Sequence, residues 1–259
     1  MKAVILCGGQ GTRIRDVSAD IPKPMIAIGR YPILWHIMRG YAHWGVKDFV
    51  LCLGHQSHVI KDFFLNYQLR TSDVTVALGK ETKIEGLKSS DIDDWRITLA
   101  ETGVDAMTGA RVKRIQRYVE ADGTFLLTYG DGVGNIDIRA LIDFHKRHGK
   151  VLTVTGVRPP SRFGELEIDG DRVTGFNEKP QATAGLISGG FFVCNRGLFD
   201  YLDDREGLML EVEPLQRLAK AGEMMVFRHD GFWHPMDTSR DYKLLNDLWA
   251  GGKAPWRVW

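Results

Sequence analysis

What this chain lacks narrows it before any motif is read. No apolar run approaches the length of a membrane span, and the short one after Met1 and Lys2 ends at Gly8, too soon for a secretory leader with its cleavage site. The expectation is a cytoplasmic protein with no membrane partner. Only three cysteines occur in 259 residues, Cys7, Cys52 and Cys194, each in or at the end of an apolar run. With no partner at metal-ligand spacing, they are expected to be small buried hydrophobes. The formal net charge is only +1, so there is no general attraction to nucleic acid, and any affinity for anions must be local.

Two common glycine loops are missing as well. No Gly-(four residues)-Gly-Lys-Ser/Thr run occurs, which excludes a Walker loop. Counting from Gly9 and Gly11, the third glycine of a dinucleotide fingerprint falls on Ile14, which excludes the usual NAD or FAD turn. Histidines offer no metal site either. His55 with His58, and His145 with His148, have no carboxylate or further histidine nearby to complete a ligand set, and read as loop, cap and structural residues.

What is present begins with a phosphate cradle. Lys2 to Cys7 is a buried-strand run, Gly8, Gly9 and Gly11 free the backbone to turn its N–H groups toward an anion, and Arg13 and Lys23 supply a planar fork and a point charge. Pro22 and Pro24 stiffen the chain around Lys23. The competing reading is a tight strand-to-helix turn with solvated cations.

Beyond the loop, Pro32 is expected to open a helix with Ile33, Leu34, Ile37, Met38 and Tyr41 inward, followed by a strand at 48–53 and a helix at about 59–67. This β-α-β-α order predicts an α/β fold, a Rossmann-like and mostly parallel central sheet flanked by helices. Residues 81–94 are charged and aperiodic, a solvated excursion or a subunit contact. A helix is expected through Val112, Ile115 and Val119. Thr108 and Arg111 at its start are read either as nucleotide contacts or as an ordinary helix opening.

Phe125 to Tyr129 predicts a strand ending in Gly130-Asp131-Gly132. Ligands of doubly wound sheets lie beyond the carboxyl ends of strands, so Asp131 is either a metal ligand or part of an Asp-Gly turn. After a helix at 138–148 and a strand at 151–157, short strands take over. A hairpin turning at Asp169-Gly170-Asp171 and a strand from Ser188 to Cys194 with Gly189 and Gly190 read as a small β-rich, sugar-binding elaboration. Asp237 before Thr238 and Ser239 is a second isolated acid, either a metal ligand or a helix-start signal. Trp256 and Trp259 are expected to pack on the body or on another subunit.

Gly8-Gly9-Gln10-Gly11-Thr12-Arg13, Pro22-Lys23-Pro24-Met25, Gly130-Asp131-Gly132, Glu178-Lys179-Pro180 and Met236-Asp237-Thr238 together resemble the sugar-1-phosphate nucleotidyltransferases over nearly the whole chain. Pro32 to Met38, Met107-Thr108-Gly109, Thr128 to Gly132, Gly231-Phe232-Trp233 and Gly252 to Trp256 resemble the members that use CTP and glucose 1-phosphate. The resemblance implies a single domain over residues 1–259, with 1–157 serving the nucleotide and 158–259 the sugar and the C-terminal part.

It also implies roles. Leu6, Gly8, Gly9, Gln10, Gly11, Thr12 and Arg13 would hold the triphosphate with Lys23, while Thr108, Arg111 and Gly130 contact the nucleotide. Mg²⁺ would sit on Asp131 and Asp237, with Arg13, Lys23 and Asp131 carrying the catalysis. Gly164, Glu178, Lys179, Ser188, Gly189 and Gly190 would hold the sugar phosphate. No nucleophilic side chain is needed, because a phosphate oxygen attacks and catalysis reduces to positioning and charge stabilisation. The family also implies a homo-oligomer, a hexamer being one form. Its alternatives are another nucleotide (dTTP, UTP or GTP), another sugar, or a regulatory module that binds a sugar nucleotide without turnover. Ser188 stands where these cytidylyltransferases tend to carry Asn before Gly-Gly, and its shorter reach bears on which sugar is accepted.

Overall fold

The computed structural model describes residues 1–10, 21–78, 83–86, 94–159, 165–169, 172–177 and 185–259. Gly11, Thr12, Arg13, Gly164, Glu178 and Lys179 lie outside the described residues. Seven strands form the central sheet: β1 (Lys2–Leu6), β2 (Asp48–Leu53), β3 (Arg96–Glu101), β4 (Thr124–Tyr129), β5 (Leu152–Val157), β6 (Ile187–Asn195) and β7 (Met224–His229). Their spatial order is β7-β5-β6-β4-β1-β2-β3, and every pairing is parallel except the two made by β6.

The interior strands are continuous apolar runs because both faces of the sheet are covered. Ala3, Ile5 and Cys7 point into one core, Val4 and Leu6 into the other. The first core is closed by α1 (Ile33–His43), α2 (Ser57–Leu65), α3 (Tyr67–Thr71), α6 (Ile138–His148) and α8 (Ser239–Ala250). The second is closed by α4 (Thr108–Arg114), α5 (Gln116–Val119) and α7 (Glu213–Lys220). Three layers result, as the alternating pattern predicts.

Helix ends follow local chemistry. α6 has its expected bounds: Asp137 caps it by accepting from the Ala140 N–H at 2.8 Å, and Gly149 leaves it at φ +64°. Pro32 is the residue before α1 rather than its first, because it still pairs with Ala27 in a two-residue ladder. The run through Val112, Ile115 and Val119 is broken at Ile115 into α4 and α5.

One expectation is corrected outright. The strand around Ser188 to Cys194 does not belong to an appended elaboration. It is β6, antiparallel in the middle of the main sheet between β4 and β5. Phe191 and Val193 enter one core while Phe192 and Cys194 enter the other, and a strand apolar on both faces needs neighbours on both edges. The hairpin does form a separate pair, Glu165–Asp169 with Arg172–Asn177. Lys83–Gly86, inside the charged stretch, pairs with Val74–Ala77. Trp256 is 1% exposed and packs on the body beside His36, Phe232 and Trp249. Among the described residues no helix is long and apolar enough to cross a membrane. All three cysteines are buried, which pushes their thiols up, that of Cys52 to about 12, and keeps them protonated and inert.

Candidate active site

β4, β1, β2 and β3 are adjacent and parallel, so the residues that follow them meet along one edge of the sheet. A pocket of about 310 Å³ opens there. Of the predicted residues, Leu6, Gly8, Gly9, Lys23, Thr108, Arg111, Gly130, Asp131 and Asp237 line it. Gln10 ends the described part of the loop and is exposed. Gly130 is glycine because its chain runs so close to β1 that a Cβ would lie 2.9 Å from the Leu6 carbonyl oxygen.

Asp131 and Asp237, 106 positions apart in sequence, come together through backbone pairing. The short strand Gly132–Gly134 runs antiparallel to Trp233–Pro235, and the Met236 N–H donates to the Asp131 carbonyl at 2.8 Å. Asp131 therefore occupies the turn after β4 and also aims its carboxylate into the pocket. Helix capping at α8 is done by Thr238 and Asp241 in a reciprocal capping box, which does not use the Asp237 carboxylate. Asp241 also accepts from the Asp237 N–H at 3.1 Å and from His234 at 2.9 Å. Burial would raise the Asp241 carboxyl, but the contacts with His234 and Thr238 outweigh it and hold the pKa down at about 2.

Lys23 joins the two acids. It starts a 3-10 turn after Pro22, and its Nζ donates to Asp131 Oδ2 at 2.6 Å and to Asp237 Oδ1 at 2.5 Å. Burial alone would lower the lysine pKa, yet the charge and hydrogen bond of Asp131, reinforced by Asp237, raise it above its ordinary value. Both carboxylates thus converge on one point that holds a cation.

Gly8 and Arg111 do something the sequence did not suggest. Neither Gly8 nor Gly9 adopts positive φ. A Cβ on Gly8 would lie 2.2 Å from Arg111 Nη1, so this glycine makes room for a guanidinium. Arg111 is 4% exposed, and its terminal nitrogens donate to the carbonyls of Gly8, Leu53, Gly103 and Val104 and to Thr102 Oγ1, at 2.7 to 3.2 Å. It ties the ends of β1, β2 and β3 together. Arg111 also lines the pocket, with these donors engaged by protein oxygens. Gly9 differs: among the described residues no atom lies within 4 Å of where its Cβ would be.

Thr108 opens α4, and its hydroxyl donates to Glu211 Oε2 at 2.6 Å while accepting from the Leu210 N–H at 2.9 Å. Tyr129, which also lines the pocket, donates its hydroxyl to the other Glu211 oxygen. Burial and the Glu211 charge push the Tyr129 hydroxyl well above its usual pKa. Sequence reasoning gave Tyr129 and Glu211 no role at the site, and only the docking of residues 206–211 onto the start of α4 reveals Glu211.

The proposed sugar side is filled differently from expectation. Gly189 and Gly190 are buried, and Gly190 sits at φ +74° with the Tyr129 ring 2.4 Å from its Cβ position. The Val157 side chain lies 2.7 Å from that of Gly189, whose carbonyl accepts from Trp233 Nε1 at 2.8 Å. These spaces are taken by protein. Ser188 is exposed, opposite Gly156.

Two acids and a lysine converge at this strand-edge pocket, and a sequence model of the nucleotidyl transferase family matches residues 2–243. The chain belongs to that family. It is 50% identical over 259 residues to the glucose-1-phosphate cytidylyltransferase of Salmonella typhi, covering all of both chains, and equally to that of Salmonella typhimurium. Among solved structures it resembles HddC from Yersinia pseudotuberculosis complexed with GMP-PN, with a TM-score of 0.69 at 24% identity, over 96% of this chain and 99% of that one. That likeness supports the fold alone.

Proposed function

We propose that this protein transfers a cytidylyl group from CTP to α-D-glucose 1-phosphate, giving CDP-glucose and pyrophosphate. Full-length identity to the Salmonella enzymes supports the substrates. The observation that carries the chemistry is the convergence of Asp131 and Asp237 on the Lys23 ammonium at the pocket wall. A phosphate oxygen of the sugar phosphate forms a bond to the α-phosphorus of CTP, and the bond to pyrophosphate breaks.

Lys23 offers its charge to the phosphates, and the loop at Gly8 and Gly9 lets them approach the open side of Gly9. Asp131 and Asp237 fit Mg²⁺: it is usually held by one or two carboxylates, with substrate phosphates and water completing the octahedron. Among the described residues no group of three or more potential metal ligands occurs, so the phosphates are needed to complete the set. Bound there, the ion would neutralise charge that builds on the triphosphate. The family resemblance extends the reading to a homo-oligomer working in the cytoplasm.

The test is competition. With glucose 1-phosphate, Mg²⁺ and equal concentrations of CTP, UTP, dTTP and GTP, CTP is expected to be consumed fastest and the product to have the mass of CDP-glucose. A preference for dTTP would overturn the nucleotide assignment. Asp131→Asn is expected to lower turnover on the order of 100-fold or more with unchanged melting, and an unchanged rate would remove Asp131 from the chemistry.

A further inference from the structure

Glu211 sits on no motif, yet it controls the hydrogen-bonding polarity of the pocket wall that carries no charge of its own. The segment holding it is pinned to the start of α4. The N–H groups of Gly109 and Ala110 both donate to the Leu208 carbonyl, at 2.9 and 3.2 Å, and the Met107 N–H donates to Glu206 at 2.7 Å. A Cβ on Gly109 would lie 2.8 Å from Leu208 Cγ, so glycine permits this close docking. Glu211 is thereby fixed between two pocket hydroxyls.

An ionised carboxylate can only accept. The single hydroxyl proton of Thr108 must therefore point to Glu211 Oε2, and that of Tyr129 to Glu211 Oε1. Thr108 also accepts from Leu210, which leaves its oxygen one lone pair and no proton. Tyr129 likewise retains lone pairs and no proton to give. The elevated pKa of Tyr129 is consistent with a phenol that stays protonated toward its partner.

Resting on the nucleotidyl-transfer reading above, we propose that Glu211 is a specificity-determining positioning residue that turns the Thr108 and Tyr129 hydroxyls into obligate acceptors, selecting a pyrimidine with an amino group at C4. Cytosine presents two N–H donors there. Uracil and thymine present a carbonyl oxygen, which would face acceptors without a proton and lie near a carboxylate charge. Buried acceptors left facing one another are penalised more than a missing contact. Bound substrate excludes water from this exposed carboxylate and strengthens the preference.

The test is the ratio of kcat/KM for CTP to that for UTP at saturating glucose 1-phosphate, in the wild-type protein, Glu211→Gln and Thr108→Val. A glutamine amide can donate to Thr108 or Tyr129 and free a hydroxyl proton for a C4 carbonyl. Glu211→Gln is expected to lower the ratio by on the order of 10-fold or more, partly through a gain for UTP, and Thr108→Val to lower it through loss for CTP. A purely structural Glu211 would reduce both nucleotides equally; an unchanged ratio in Glu211→Gln, with the wild type still preferring CTP, overturns the inference alone. A wild-type protein without CTP preference overturns the functional reading and this inference together.

Discussion

Gly8-Gly9 after β1 lines the pocket, Gly189-Gly190 in β6 packs against Val157 and the pocket residue Tyr129, and the two pairs solve different problems. Both look like places where a ligand meets bare backbone. Three of the four glycines instead make room for protein: Gly8 for the Arg111 guanidinium, Gly189 for Val157 and Gly190 for the Tyr129 ring. Only Gly9 meets no other atom among the described residues. A missing side chain says that something comes close, but not what.

The largest test of this contrast is Arg111→Met. It would take the guanidinium donors away from five acceptors beneath the first pair, of which the Gly8 and Leu53 carbonyls keep the N–H groups of His55 and Thr102, so a loss of about 3–5 kcal/mol is expected in denaturant unfolding. A loss below about 1 kcal/mol would mean the arginine is free for substrate after all. Gly190→Ala comes next. Positive φ and the Tyr129 ring should together destabilise by about 2–3 kcal/mol, read as a lowered melting temperature. Activity lost from Gly190→Ala at full stability would restore a ligand to that space.

Acid should act on the β6 side. His145 is buried, and its ring nitrogen meets Thr153 Oγ1 at 2.9 Å on β5, the neighbour of β6. Burial, with His148 adding to it, lowers the His145 pKa to about 4. The folded protein thus favours the neutral ring, so this contribution is complete above the unfolded pKa near ~6.5 and is lost as pH falls toward the folded value. At pH 5 it amounts to about 2 kcal/mol less stability than at pH 7, visible as faster amide exchange in β5 and β6, and absent in His145→Asn. The smallest stability effect belongs to Gly9→Ala, under about 0.5 kcal/mol, since the added Cβ meets nothing among the described residues. Its turnover should still fall if triphosphate lies against the Gly9 backbone, and unchanged kinetics would remove that contact.

Much of the fold was legible. Continuous apolar runs marked β1, β2, β4 and β5, and the Asp137 cap with Gly149 gave α6 its bounds. β6 was misplaced because periodicity reports burial on two faces but not which strands supply the edges. At the site, Lys23, Asp131 and Asp237 were readable from local punctuation: an acid between glycines, an acid before a cap, a lysine between prolines. Tyr129 and Glu211 were not, since nothing near residue 211 in sequence signals a carboxylate that meets Thr108 and Tyr129.

The sequence by itself determined the layered α/β class, the sheet edge where the pocket opens and the identities of the charged groups that line it. These depend on short-range pattern, alternation and backbone freedom. Only the tertiary structure decided that Arg111 supports the loop from within, that Tyr129 takes the space beside Gly190, and that Glu211 orients two hydroxyl protons. Those outcomes depend on which side chain wins a shared volume or a shared proton, and the competitors lie about 60 to 100 residues apart in the chain.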